Sequence, residues 1–142
     1  MNIQKITVVA LLLTLIGSAC SKKSSNLEEF KPDNMIIRLA ELEIDSVYLD
    51  EYITILKEEA EASIRLESSV ICIYPMFQKA NPTQIRLLEI YADQEAYESH
   101  LETPHFQYYK TTTQHMVKSL QLIDMEAIDQ ETMPKIFKKL AL

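Results

Sequence analysis

Two histidines five residues apart, His100 and His105, and one acid that interrupts an apolar run, Glu89, are the side chains best suited to chemistry in this sequence. Imidazole takes up and releases protons near neutral pH, so either histidine is a candidate general base. A carboxylate inside an apolar run is either paired, with Arg38 or Arg86 as the available partners, or it lines a cavity. Tyr74, Tyr91, Tyr108 and Tyr109 read as core or rim residues, and some of them can stack on a flat ligand. The third histidine, His115, falls opposite the apolar stripe of its segment and should be solvated. His100 and His105 are separated by Pro104 and a helix break, whereas paired ligands on a helix recur at i, i+4; no metal is expected. No serine stands in a setting that suggests a nucleophile.

The elements that position these groups are legible. Asp93 caps a short helix, with Gln94 and Glu95 in its first turn. Thr103 caps the next, and Pro104 takes the first helical position, where its missing N–H costs nothing. His100 shares a helical face with Ala96, Tyr97 and Leu101 and should pack toward a sheet. It is either a site residue or a structural histidine bonded to a backbone carbonyl. His105 borders the stripe of Phe106, Tyr109, Thr113, Met116, Val117 and Leu120. It either faces a pocket between helix and sheet or lies partly exposed in the first turn.

Upstream, Met35–Ile44 reads as a strand, and Asp45 or Ser46 offers a helix cap. Leu49, Tyr52, Ile53, Leu56, Ala60, Ser63 and Ile64 form one apolar stripe over about five turns, with a charged face opposite. Val70–Phe77 is a β-branched and aromatic strand, and Pro75 requires a free edge or a bulge there. A turn at Lys79–Thr83 leads to a return strand, Ile85–Tyr91. After the second helical segment, Leu120–Ile128 is the last strand. The order β-α-β-β-α-β is the α+β, ferredoxin-like split βαβ arrangement, an antiparallel sheet with helices on one face. Val70, Cys72, Tyr74 and Met76 point one way, and Ile71, Ile73 and Phe77 the other. A sheet with one solvated face would alternate apolar and polar. The second face therefore wants cover, and a second copy supplies it, so a homodimer is expected.

Composition narrows the chemistry. The only glycine is Gly17, near the N-terminus. Phosphate-cradling loops, dinucleotide fingerprints and nucleophile elbows all need glycines, so none is present in the body. Beyond residue 25 the chain holds 11 basic and 21 acidic residues, a balance of −10. So acidic a body is a poor match for nucleic acid.

The N-terminus has its own reading. Lys5 precedes the apolar run Ile6–Ile16, too short to span a bilayer, and Gly17-Ser18-Ala19-Cys20 follows. Residues 1–20 resemble a bacterial lipoprotein signal with Cys20 as the lipidated residue, although Gly17 stands where leucine is more usual. An ordinary cleaved signal is the alternative. Residues 21–33 read as a flexible spacer reaching roughly 20 Å as a coil. The expected location is the cell envelope, with the domain tethered to a membrane. Cys72, the other cysteine, reads as a small buried hydrophobe. Residues 130–142 form a tail in which Met133, Ile136, Phe137 and Leu140 fall at helical spacing.

The run Leu87-Leu88-Glu89-Ile90-Tyr91-Ala92-Asp93, followed by Ala96-Tyr97, His100 and Thr103-Pro104-His105-Phe106, resembles the antibiotic biosynthesis monooxygenase (ABM) family, in particular its quinol monooxygenase-like group. The likeness extends to Arg38–Ile44, Glu58-Glu59-Ala60, Ser63, Asn81-Pro82-Thr83 and Met116–Leu120. It makes residues 34–129 the ABM-like domain. The resemblance implies a dimeric α+β barrel of two facing sheets. It also implies oxygenation of electron-rich aromatics such as quinols by O₂, without metal, flavin or other cofactor. On that reading His105 or His100 is the catalytic base and Glu89 orients it. Tyr91, Phe106, Tyr109 and Arg38 contact the substrate. Haem-degrading relatives rely on a tryptophan, and this chain has none. Isomerases of small diones and non-catalytic, ligand-binding dimers share the fold and remain the alternatives.

Overall fold

The computed structural model describes residues 32–140. The expected leader, with Cys20 as its expected lipidation residue, and most of the expected spacer lie outside those residues. Pro32–Asn34 forms a 3-10 turn, and the domain follows as β1 (Ile36–Ile44), α1 (Leu49–Leu66), β2 (Val70–Gln78), β3 (Asn81–Tyr91), α2 (Gln94–Leu101), α3 (Pro104–Thr113), β4 (Val117–Met125) and α4 (Thr132–Leu140). The four strands form one antiparallel sheet in the order β2-β3-β1-β4. This is the expected split βαβ topology, with the second helical segment divided into α2 and α3. Among the described residues no helix is long and apolar enough to cross a membrane.

The core lies between the sheet and α1 to α3. Ala40, Leu42, Ile44, Ile85, Leu87 and Tyr91 face Tyr52, Ile55, Leu56 and Ala60 across it. Asp45 accepts a hydrogen bond from the Val47 N–H and caps a 3-10 turn, Ser46–Tyr48, that leads into α1. The buried face of α1 is rotated from the expected stripe. Ile55 and Glu59 are inside, and Ile64 is 48% exposed. Glu59, assigned by sequence to the solvated face, is only 5% exposed. Its register is the reason: it stands three residues after Leu56 and four before Ser63, both buried.

Three strand expectations are corrected. The register of β2 against β3 shifts between Val70 and Cys72, so strict alternation fails and Val70 and Ile73 are both buried. The hairpin turn tightens to Lys79-Ala80, and β3 begins at Asn81 rather than Ile85. β4 begins at Val117, three residues before the expected Leu120, and ends at Met125. Helix α3 stops at Thr113, after a threonine run poorly suited to helix. A 3-10 turn, Gln114–Met116, then delivers Val117 opposite Ile44, with the Asp45 N–H bonded to the Met116 carbonyl at 2.9 Å. Pro75 lies on the edge strand β2, as its missing N–H requires.

Candidate active site

Two caps and one turn bring the titratable groups together. Asp93 accepts from the Ala96 N–H at 2.8 Å and starts α2, whose last turn carries His100. The Thr103 hydroxyl donates to the His100 carbonyl at 2.8 Å and also caps α3 by accepting from the Phe106 N–H. His105 follows one residue into α3. The third component is Glu67, immediately after α1. Its N–H bonds the Ser63 carbonyl at 3.0 Å, and its carbonyl accepts from the Val70 N–H at 3.1 Å. The backbone is thus pinned on both sides, and the side chain turns toward α2 and α3.

Glu67 meets both histidines through one oxygen. Its Oε1 lies 3.0 Å from His100 Nδ1 and 2.6 Å from His105 Nε2. His100 is 2% exposed and packed among the rings of Tyr91, Phe106 and His105. Its other nitrogen, Nε2, is 3.7 Å from Glu59 Oε1. Glu59 in turn accepts the Ser63 hydroxyl at 2.7 Å.

His100, Glu59 and Glu89 line a cavity of about 100 Å³ between sheet and helices, together with Arg38, Tyr91, Tyr97, Phe106 and Tyr109. Leu120 and Leu122 of β4 stand at its border, 56% and 50% exposed. Glu89 accepts the Tyr91 hydroxyl at 3.2 Å. Arg38 pairs with Asp124 at 2.7 Å and lies 4.6 Å over the Tyr97 ring. Arg86 pairs with Glu41 at 3.2 Å. Of the two sequence readings of Glu89, cavity lining is the one observed, and neither arginine forms its salt bridge.

Burial pushes the Glu59 carboxyl above the usual range, against the lowering pull of Ser63 and of the histidines. Burial likewise raises Glu89, against the Tyr91 hydrogen bond and the charges of His100 and Arg38. Tyr52 and Tyr109 share a 2.6 Å hydroxyl contact. Burial pushes Tyr109 up to about 12 and moves Tyr52 and Tyr91 strongly upward. The cavity therefore holds neutral phenols and two carboxyls biased toward their acid forms beside an imidazole.

A larger cavity, about 600 Å³, lies between α1 and the hairpin end of β2 and β3. Its lining is mostly apolar, with Lys57, Glu61 and Arg65 as its charged groups and no histidine. It offers little for proton chemistry.

Five of the six substrate or base candidates, His100, Arg38, Tyr91, Phe106 and Tyr109, border the smaller cavity. His105 does not line it; it shares Glu67 with His100 and packs beside the His100 ring. The partner expected for the histidines, Glu89, contacts neither of them; Glu67 takes that place because the α1–β2 turn aims it between α2 and α3. His115 is exposed and meets Tyr48 edge-on, as its register implied. Cys72 is partly buried with its thiol raised by burial, an inert setting. Among the described residues Glu67, His100 and His105 are the one set with three donor atoms close enough to hold a cation, all within 4.8 Å. The 2.6 and 3.0 Å contacts are hydrogen-bond distances, and they satisfy these groups without one.

Comparison with known proteins assigns the domain that carries these residues to a family. The family model for antibiotic biosynthesis monooxygenases matches residues 35–112, a span that holds every group of the His100–Glu67–His105 cluster and its carboxylate neighbours. The chain belongs to the antibiotic biosynthesis monooxygenase family. A solved ABM structure from Bacteroides thetaiotaomicron is 44% identical, with 70% of this chain and 94% of that one covered and a TM-score of 0.69. A solved monooxygenase-family structure from Lactobacillus acidophilus is 29% identical with a TM-score of 0.65; the alignment covers 66% of this chain and 45% of that one. A third, from Nitrosomonas europaea, is 17% identical and covers 67% of this chain and 91% of that one. Its TM-score of 0.63 attests the shared ABM fold. No curated protein matches the chain.

Proposed function

We propose that the protein is a cofactor-independent monooxygenase that oxidises quinol-like aromatics with O₂. The observation that carries this reading is a buried imidazole, His100, on the wall of a cavity between sheet and helices that also holds two carboxyls and several phenols. A quinol needs little more from a protein. Loss of its phenolic proton makes an anion electron-rich enough to reduce O₂ itself, provided water is excluded.

In this reading His100 Nε2 takes the phenolic proton, and Glu59 and Glu89 in their acid forms stabilise negative charge that develops on the substrate. Arg38, Tyr91, Phe106 and Tyr109 hold the ring. O₂ adds at a ring C–H carbon to give a hydroperoxide. Its O–O bond breaks with loss of water, leaving one oxygen on the ring. His105 serves as support for the base.

The cavity is smaller than the ~150 Å³ that accepts a benzene. A ring therefore enters edge first, with its remainder toward Leu120 and Leu122. In the proposal the protein works as a homodimer, tethered to a membrane of the cell envelope by a lipid on Cys20. Such a tether keeps the cavity near membrane quinones.

The test is O₂ uptake by residues 26–142, metal-chelated, on a panel of reduced quinols, against a non-oxygenating dimer of the same fold as autoxidation control. Uptake above control that falls at least tenfold in His100→Ala is the expected result. Uptake equal to the control on every quinol sinks the proposal. Turnover of a small dione without O₂ would assign the same groups to enolisation.

A further inference from the structure

We infer that Glu67 is the positioning residue of the site: it fixes the tautomer of His100 so that Nε2 is bare toward the cavity. This rests on His100 acting as the base, but on no particular substrate.

A carboxylate oxygen only accepts, so an imidazole nitrogen that bonds it must carry the hydrogen. Glu67 Oε1 is 3.0 Å from His100 Nδ1, which makes Nδ1 the protonated nitrogen. Neutral imidazole has one N–H, so Nε2 is left with its lone pair. That nitrogen faces Glu59, 3.7 Å away, on the cavity side. A proton acceptor belongs there.

The second histidine completes the arrangement. His105 Nε2, at 2.6 Å, donates to the same Oε1. Two donors on one oxygen hold the carboxylate in a single orientation, and the pinned backbone of Glu67 holds its stem. When His100 gains a proton from substrate, the carboxylate 3.0 Å away compensates the new positive charge. No other carboxylate is within hydrogen-bond distance of either imidazole among the described residues. The charged or titratable groups around His100 are Glu67 and His105 on one side and Glu59, Glu89, Tyr91 and Arg38 on the other.

Glu67→Gln makes the test sharp. The amide is isosteric, but its NH₂ can donate to Nδ1 and so favour the opposite tautomer, with the hydrogen on Nε2. Losing tautomer control in a carboxylate–histidine pair costs on the order of 10⁴-fold in kcat in a serine protease. A loss of at least about 100-fold in kcat is expected here, with KM little changed.

The direct readout is ¹⁵N NMR of the histidine side chains in the full domain at pH 7, which requires no turnover. The parent should show His100 protonated on Nδ1, and Glu67→Gln should move the hydrogen to Nε2. His105→Ala should keep the Nδ1 tautomer and lose less than tenfold in kcat. The inference is overturned if the parent carries the hydrogen on Nε2, or if Glu67→Gln leaves it on Nδ1. It is also overturned if adding and removing a chelator or Zn²⁺ at micromolar levels moves these resonances, since the cluster is then a cation site. A parent with the Nδ1 tautomer that oxidises no quinol upholds the inference and removes the quinol reading alone. If Glu67→Gln fails to fold, the parent spectrum still decides.

Discussion

Glu59 is the residue whose burial is most out of keeping with its charge, and its ionisation should be visible in stability. Burial raises its carboxyl above the range of an exposed glutamate, and Glu89 is raised for the same reason. The folded state thus binds protons that the unfolded chain has already released. Stability from these groups is complete below the unfolded value, about 4.3, and is lost as pH rises from there through the folded-state values. Glu59→Gln keeps an acceptor for the Ser63 hydroxyl and has no proton to lose. Urea unfolding at pH 5 and pH 8 should show a smaller drop for the variant than for the parent, and a still smaller one for Glu59→Gln with Glu89→Gln. Parallel drops in parent and variants would show that neither carboxyl is held neutral by the fold. Residue-level signals for Glu59 were present in the sequence. It falls on the buried stripe between Leu56 and Ser63, and its charge masked that register. Glu67 left no such signal, since it lies in a connection 33 and 38 residues from the histidines it contacts.

Caps and turns carry the site at the scale of elements. Thr103 joins α2 to α3 twice, by its bond to the His100 carbonyl and by capping the Phe106 N–H. Thr103→Ala removes both and should cost about 1–2 kcal/mol, measured by chemical denaturation. Because the same joint sets the spacing of His100 and His105, the variant should also broaden the histidine NMR signals. A loss below about 0.3 kcal/mol would show that Pro104 and packing alone define the joint. The elements were largely readable because caps, proline positions and periodicity are local properties. Their edges were not. β4 starts at Val117 because Ile44 and Asp45 capture the chain there, a long-range pairing that overrides the helical period of Met116, Val117 and Leu120. The shift at Val70 to Cys72 is likewise set by β3, not by the alternation within β2.

At the scale of the molecule, the sheet has one face filled by α1 to α3 and a second face that is largely apolar. The second face presents Ile37 and Leu39 of β1, Leu88 of β3, Tyr74 of β2 and Met125 of β4, as their register requires, with Ile90 of β3 already buried among them. Tyr74 is 60% exposed and Met125 47%. A contiguous apolar surface of this kind is costly in water and is relieved by self-association. The proposed homodimer places two such faces together. Each face carries only the Arg86–Glu41 pair as a charged cross-strand couple, which a two-fold axis can leave at the rim. Replacing Leu39 by Glu adds a charge to each facing sheet near the centre of the contact, where it has no partner. Sedimentation velocity at micromolar concentration should then give a dimer for the parent and a monomer for Leu39→Glu, with the circular dichroism of the fold retained. A parent that sediments as a monomer across that range would leave the apolar face to another partner and overturn the dimer. Since Leu120 and Leu122 border the cavity from the edge strand β4, the same variants report whether turnover needs the second copy. If it does, kcat should fall with dissociation while the His100 tautomer, set within one chain by Glu67, stays unchanged.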